Sequence, residues 1–216
     1  MKFLRLNCLL LLFVALSALT LRAQESLQLG KYTVLLPDNV QHVTRGSNAL
    51  ELGRSSGNKY NVLVQLSAIP SEQERGALAA KGLQLGDYLG NRAYWATLPA
   101  GIDVRKAFHG TSLRTVLAVA PEWKVAELLT EAELPEWSRV DEHTAKLELT
   151  YATNVTDSEV QNALVALGAK KVNIAKGWAL ASCEITRLAI DKVAALPWVL
   201  SIAPVPAPAT LLNRTG

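Results

Sequence analysis

One pattern of residues is written twice in this chain, and that duplication limits the folds open to it more than any other feature. The first copy runs from about Tyr60 to Glu127 and the second from about Ala145 to Leu211. Each reads strand, capped helix ending in glycine, hairpin, second short helix, strand. Ser71 and Glu74 form a capping-box pair in the first copy, and Thr156 and Glu159 form one in the second. Ala77-Leu78 up to Gly82 is answered by Ala163-Leu164 up to Gly168. Leu117 to Pro121 is answered by Leu200 to Pro204 in the same order. A duplicated domain follows from this agreement.

The strands alternate with period two. Tyr60, Val62, Val64 and Leu66 share one face, with Asn61, Gln65 and Ser67 opposite; Leu147, Leu149 and Tyr151 alternate with Lys146, Glu148 and Thr150. One apolar face per strand predicts a sheet covered on one side only. Gly82 and Gly168 stand where a left-handed helix cap belongs. Gly90-Asn91 fits a tight hairpin, and Lys176-Gly177 takes the corresponding place before Trp178. Asp103 and Thr186 are N-cap candidates for the second helices. The last strands are expected at 115–119 and 199–203. The fold class is therefore α+β: two tandem ferredoxin-like (βαββαβ) domains, each an antiparallel sheet with two helices on one face. The second face of each sheet is the broad surface left for function.

The N-terminus has the three-part layout of a secretory signal. Lys2 and Arg5 precede an almost wholly apolar run from Cys8 to Leu21, and a processing site is expected at Arg22-Ala23-Gln24. The run is shorter than the ~20 residues that span a bilayer, so a secreted or extracytoplasmic protein is expected, with no membrane span after signal removal. Losing Lys2, Arg5 and Arg22 takes the formal charge from +3 to about zero. Nothing in the charge then argues for nucleic acid. The expected divisions are a signal at 1–23, a leader with a candidate extra strand at 24–58, a first domain at 59–127, a linker at 128–144, a second domain at 145–205, and a tail at 206–216. Of the two cysteines only Cys183 lies behind the signal. It falls in an expected strand, where it reads as a buried small hydrophobe.

Chemistry is sparse. His109-Gly110-Thr111-Ser112 offers a base and a nucleophile almost side by side, but a serine hydrolase needs its triad brought together from separate elements. No second motif supplies the carboxylate. His42, His109 and His143 lie apart from one another and from Cys183, so no metal-ligand spacing exists, and no cofactor is expected. No glycine-rich loop has the phosphate-binding arrangement. Trp95 and Trp178 recur at similar points of the two hairpins, which predicts a shared packing role.

These two units resemble the inhibitor-type propeptide domains of subtilisin-like serine proteases, and the whole chain resembles the pro-region of secreted bacterial subtilases. In the first copy the likeness is carried by Tyr60 to Leu66, Ile69 to Arg75, and Gly82 to Leu98, above all Asp87 to Tyr94. In the second it is carried by Ala194 to Val199 and Ile202 to Pro204. The resemblance implies that the open sheet face packs on surface helices of a protease domain, in cis downstream or in trans. It implies a folding template and temporary inhibitor. The tail lying in the protease cleft would be Val205, Pro206, Ala207, Pro208, Ala209, Thr210, Leu211, Leu212 and Asn213. This chain has no catalytic motifs, so the serine endopeptidase activity would belong to a longer parent. A stand-alone inhibitor or chaperone is the alternative, followed by a tandem ferredoxin-like module that binds a small molecule.

Overall fold

The structure, a computed structural model, describes residues 25–36, 54–55 and 59–208. The expected signal at 1–23, His42, most of the 37–58 stretch, and the tail residues Ala209, Thr210, Leu211, Leu212 and Asn213 lie outside the described residues. The described part is α+β, with antiparallel sheets and short helices.

A hairpin of β1 (Ser26–Leu29) and β2 (Tyr32–Leu35) comes first, followed by the short β3 (Arg54–Ser55). The first repeat supplies β4 (Lys59–Leu66), α1 (Glu72–Ala80), β5 (Gln84–Gly90), β6 (Ala93–Pro99), α2 (Val104–Ala107) and β7 (Leu113–Ala118). The second supplies β8 (Thr144–Tyr151), α3 (Asp157–Ala166), β9 (Lys170–Ala175), β10 (Leu180–Thr186), α4 (Ile190–Ala194) and β11 (Val199–Pro204). The first sheet runs β7-β4-β6-β5, with β3 sharing the β4 edge that β7 pairs. The second runs β11-β8-β10-β9. Counted by place within each copy, both orders are fourth, first, third, second, and every pair is antiparallel.

Local chemistry explains why both copies build the same elements. Ser71 Oγ accepts from Glu74 N at 3.2 Å to start α1. Thr156 and Glu159 close the full reciprocal box at the start of α3, with Glu159 Oε2 accepting from Thr156 N at 2.8 Å. Both helices stop in the same way. Gly82 N donates to Ala79 O and Leu83 N to Leu78 O; Gly168 N donates to Val165 O and Ala169 N to Leu164 O. That paired pattern needs a left-handed residue at the glycine, and φ is +98° at Gly82 and +88° at Gly168. Asp103 caps α2 by accepting from Lys106 N. Thr186 precedes a short 3-10 turn (Arg187–Ala189) and makes no side-chain cap, so that expectation does not hold. The first hairpin also turns one residue later than expected. Asn91 and Arg92, both at positive φ, form the two-residue bend between β5 and β6.

Each repeat has its own core between sheet and helices. Tyr60, Val62, Val64 and Leu66 pack with Leu78, Val104 and Phe108; Leu147, Leu149 and Tyr151 pack with Val160, Leu164 and Val193. Cys183 is buried in the second core, where burial and the neighbouring Glu184 charge push its thiol up to about 11. The connection between the repeats is packed as well. Val125, Leu129 and Leu134 enter the second core, and Ala126 N donates to Ile202 O at 2.8 Å, so the connection bridges the outer edge of β11. Lys124 is buried at the end of α4, its Nζ donating to Ala194 O (2.9 Å) and Leu196 O (3.0 Å). A cation suits the carbonyl-rich end of a helix, yet burial pushes this ammonium down to about 8.

Two measurements check this account. Gly168→Ala should cost about 1 kcal/mol, the penalty for a side chain in left-handed backbone. Gly82→Ala should cost more, because its Cβ would also lie 3.0 Å from Pro99 Cγ; urea unfolding of the two variants gives the order. Lys124 holds its proton less tightly folded than unfolded, so its contribution to stability is complete above pH 10.5 and is lost as pH falls toward 8. From pH 7.5 to 10 the wild type should therefore gain about 2 kcal/mol relative to Lys124→Met, read by urea unfolding at both pH values.

Candidate functional site

A surface for binding has to be one that the fold does not use itself, and the two sheets differ in this. On β4, Asn61, Leu63 and Gln65 point away from the helices, and all three are buried. The β1–β2 hairpin lies over Leu63, and Glu25 at its start meets Gln65, whereas Asn61 bonds to Pro197 O of the second repeat. Leu27, Leu29, Val34 and Leu36 pack on Leu63, Ala93, Trp95 and Val119, with Trp123 and Leu200 at the margin. The expected open face of the first unit is therefore closed. The hairpin forms a separate two-stranded sheet and adds no strand to the first one.

The closure is held at its N-terminal corner by charge. The Glu25 carboxylate accepts from the Arg92 guanidinium and from Gln65 Nε2, with Arg114 Nη1 3.8 Å away. The Arg92 hydrogen bond leads in holding Glu25 below the usual carboxylate range. Gln65 also donates to Asn91 O at 3.1 Å, and Asn91 Nδ2 donates to Ser26 O. Gln65 on the underside of β4 is thus spent on binding Glu25 at the start of the hairpin and the β5–β6 turn.

The second sheet keeps its outer face. Lys146, Glu148 and Thr150 of β8 and Ser182 and Glu184 of β10 are half-buried, and Ser201 of β11 is exposed. Lys171 Nζ lies 2.9 Å from Glu184 Oε1, and the Thr150 and Ser201 hydroxyls are 2.7 Å apart. The face is polar, carries both signs of charge, and has no hairpin packed on it among the described residues.

From this sheet the tail departs. Val205 N donates to Lys146 O at 3.2 Å, which extends the β11–β8 pairing by one step. Trp137 Nε1 donates to Val205 O at 3.0 Å, so an indole from the connecting segment fixes the exit. Pro206, Ala207 and Pro208 are exposed and belong to no helix or strand. Sequence reasoning assigned Trp137 only to a linker; a large aromatic in an acidic connection was the available signal.

The other candidates are structural. His109 is exposed, while the Ser112 hydroxyl is buried and bonds to nothing, so the two form no catalytic pair. Thr111 Oγ1 donates to Phe108 O and accepts from Leu113 N, which makes the tetrad a turn. Trp95 and Trp178 do not share a packing role: Trp95 is buried under the hairpin, and Trp178 is 81% exposed. Among the described residues no group of three His, Cys, Asp or Glu could hold a metal, and no helix is long and apolar enough to cross a membrane.

Residues 26–120 match a family model described as a domain of unknown function (DUF8729). The match starts at the first residue of β1 and ends two residues after β7, so it takes in the hairpin together with the first repeat. The search of curated proteins and the search of solved structures each return no match.

Removing the indole donor by Trp137→Phe should loosen the exit of the tail. Loss of one partly exposed hydrogen bond is worth about 1 kcal/mol, or about fivefold in local opening. Amide exchange at Val205 should quicken by that factor, and unchanged exchange would show that Trp137 does not hold the exit.

Proposed function

We propose that each repeat is a ferredoxin-like unit and that the chain acts as a secreted pro-region of a subtilisin-like serine endopeptidase. It would serve as folding template and temporary inhibitor, toward a protease domain in cis or in trans. The shared strand order, fourth-first-third-second with all pairs antiparallel, supports the first part. One observation carries the second: among the described residues the second unit alone keeps a polar sheet face with no hairpin packed on it, and the chain leaves that sheet through a pinned Val205 into exposed Pro206-Ala207-Pro208.

The physical logic is that of strand addition. An extended segment gains affinity in a cleft through backbone hydrogen bonds, and the prolines keep this one from folding back as a helix. Trp137 and the ladder bond of Val205 hold the start of the segment, which lowers the entropy lost when it docks. The two units are then unequal. In the first, the face that could meet a protease is filled by the hairpin, so its part is to support the second.

The purified chain should inhibit a subtilisin-like endopeptidase in a peptide-hydrolysis assay. Deleting Val205 to Gly216 should weaken inhibition by about tenfold or more, as loss of a strand-pairing segment would. Glu148→Arg on the open face should weaken it as well, while Leu35→Ala on the exposed side of the hairpin leaves it unchanged. Absence of inhibition at tens of micromolar, or inhibition indifferent to the deletion, would remove this reading.

A further inference from the structure

Between the two repeats lies a cleft of about 340 Å³ that neither core fills. One wall is the start of β5, from Gln84 to Asp87; the other is the β9–β10 turn at Gly177-Trp178-Ala179. We propose that this cleft binds an extended peptide segment carrying arginine or lysine, seated as an added strand along the free edge of β5.

Three independent observations point to that ligand. The first is the edge itself. β5 pairs only with β6, and no strand pairs its other side among the described residues. Gln84, Leu85, Gly86 and Asp87 of this strand line the cleft, and an unpaired edge is a template for another strand. The edge of β9 is different, since Lys170, Lys171 and Lys176 stand along it or at its end, and lysines discourage edge pairing.

The second observation is charge. The lining includes the exposed carboxylate of Asp87 and the hydroxyls of Thr97 and Thr153, but no lysine, arginine or histidine; Lys176, next to Gly177, is not among the lining residues. Asp87 makes no ion pair among the described residues, in contrast to Glu25 and Glu184. A neutral-to-acidic recess of this kind favours a cation and disfavours a carboxylate.

Third are two side chains whose state in the free protein is costly or unexplained. Asn61 lies deep in the lining, 3% exposed; its Nδ2 donates to Pro197 O at 3.1 Å, and its Oδ1 has no partner. A buried unmet acceptor is a site for a donor. Trp178 is the most exposed tryptophan, at 81%, held over the cleft by a turn with positive φ at Gly177 and Ala179. An indole face in that position suits a guanidinium or ammonium, and tryptophan is the best of the rings for this contact.

Asp87 and Trp178 thus stand on opposite walls of the cleft, with the β5 edge along one of them. The site uses no residue of the tail, so it stands or falls apart from the protease reading. Titration of the full chain, by tryptophan fluorescence and calorimetry, with a capped hexapeptide alternating valine and arginine is the test. Binding is expected, with tenfold or greater loss for a glutamate-for-arginine peptide. Trp178→Ala and Asp87→Asn should each weaken the arginine peptide by about fivefold to tenfold, the range for a single cation–π or ionic contact. Methylating alternate backbone nitrogens of the peptide should abolish binding by blocking strand pairing. No binding at millimolar peptide, equal affinity for the glutamate peptide, or retained binding of the methylated one would each overturn the proposal. Circular dichroism identical to wild type shows that the two surface variants remain folded.

Discussion

The underside of β4 is the constraint on which the rest of the structure depends. Every residue from Tyr60 to Leu66 is buried, so this strand is covered on both faces. Its counterpart β8 is buried only at alternate positions. Covering the second face of β4 takes the hairpin, Trp123 of the connection, and Leu200 from the other repeat. A fully buried leucine or valine contributes about 1.5–3 kcal/mol, so Leu27, Leu29, Val34, Leu36 and Leu63 together outweigh the Glu25 ion pair, whose side chain is about a third exposed and screened. Charge sets the corner of this closure, and apolar burial supplies its strength.

The same layer makes the two repeats one object. Leu200 touches both the second core and the hairpin layer, while Val125 and Lys124 carry the connection into the second unit. Lys124 shows the cost of this arrangement. Its ammonium satisfies two carbonyls at the end of α4, but burial makes it easier to deprotonate. The repeats therefore meet through specific contacts, and the cleft beside β5 is the space that those contacts leave open. The family match, which begins at β1 and stops just past β7, groups the hairpin with the repeat that it closes.

Much of the repeat itself was legible. Capping residues, glycine stops and period-two strands are local signals, and each element stands close to its expected place. The errors were also local in origin. Gly90-Asn91 reads as a turn because both residues tolerate positive φ, but the bend falls on Asn91 and Arg92, where Glu25 holds the arginine. Asn61, Gln65 and Ser67 read as a solvent face, and Leu63 between them was the overlooked sign; Glu148 takes the matching place in β8. The role of Trp137 was not legible, because its partner is the backbone of Val205, 68 residues away.

The sequence by itself determined the repeated α+β pattern, the starts and glycine stops of the longer helices, and the place of a proline-rich tail. These rest on interactions between residues a few positions apart, so spacing alone reveals them. Only the tertiary structure decided which sheet face the hairpin covers, where the tail is pinned, and that a cleft lies between the units beside a strand edge left unpaired among the described residues. Those outcomes depend on which distant segment covers which surface. Polar residues such as Gln65 and Asn61 look the same in sequence whether they meet water or a buried partner.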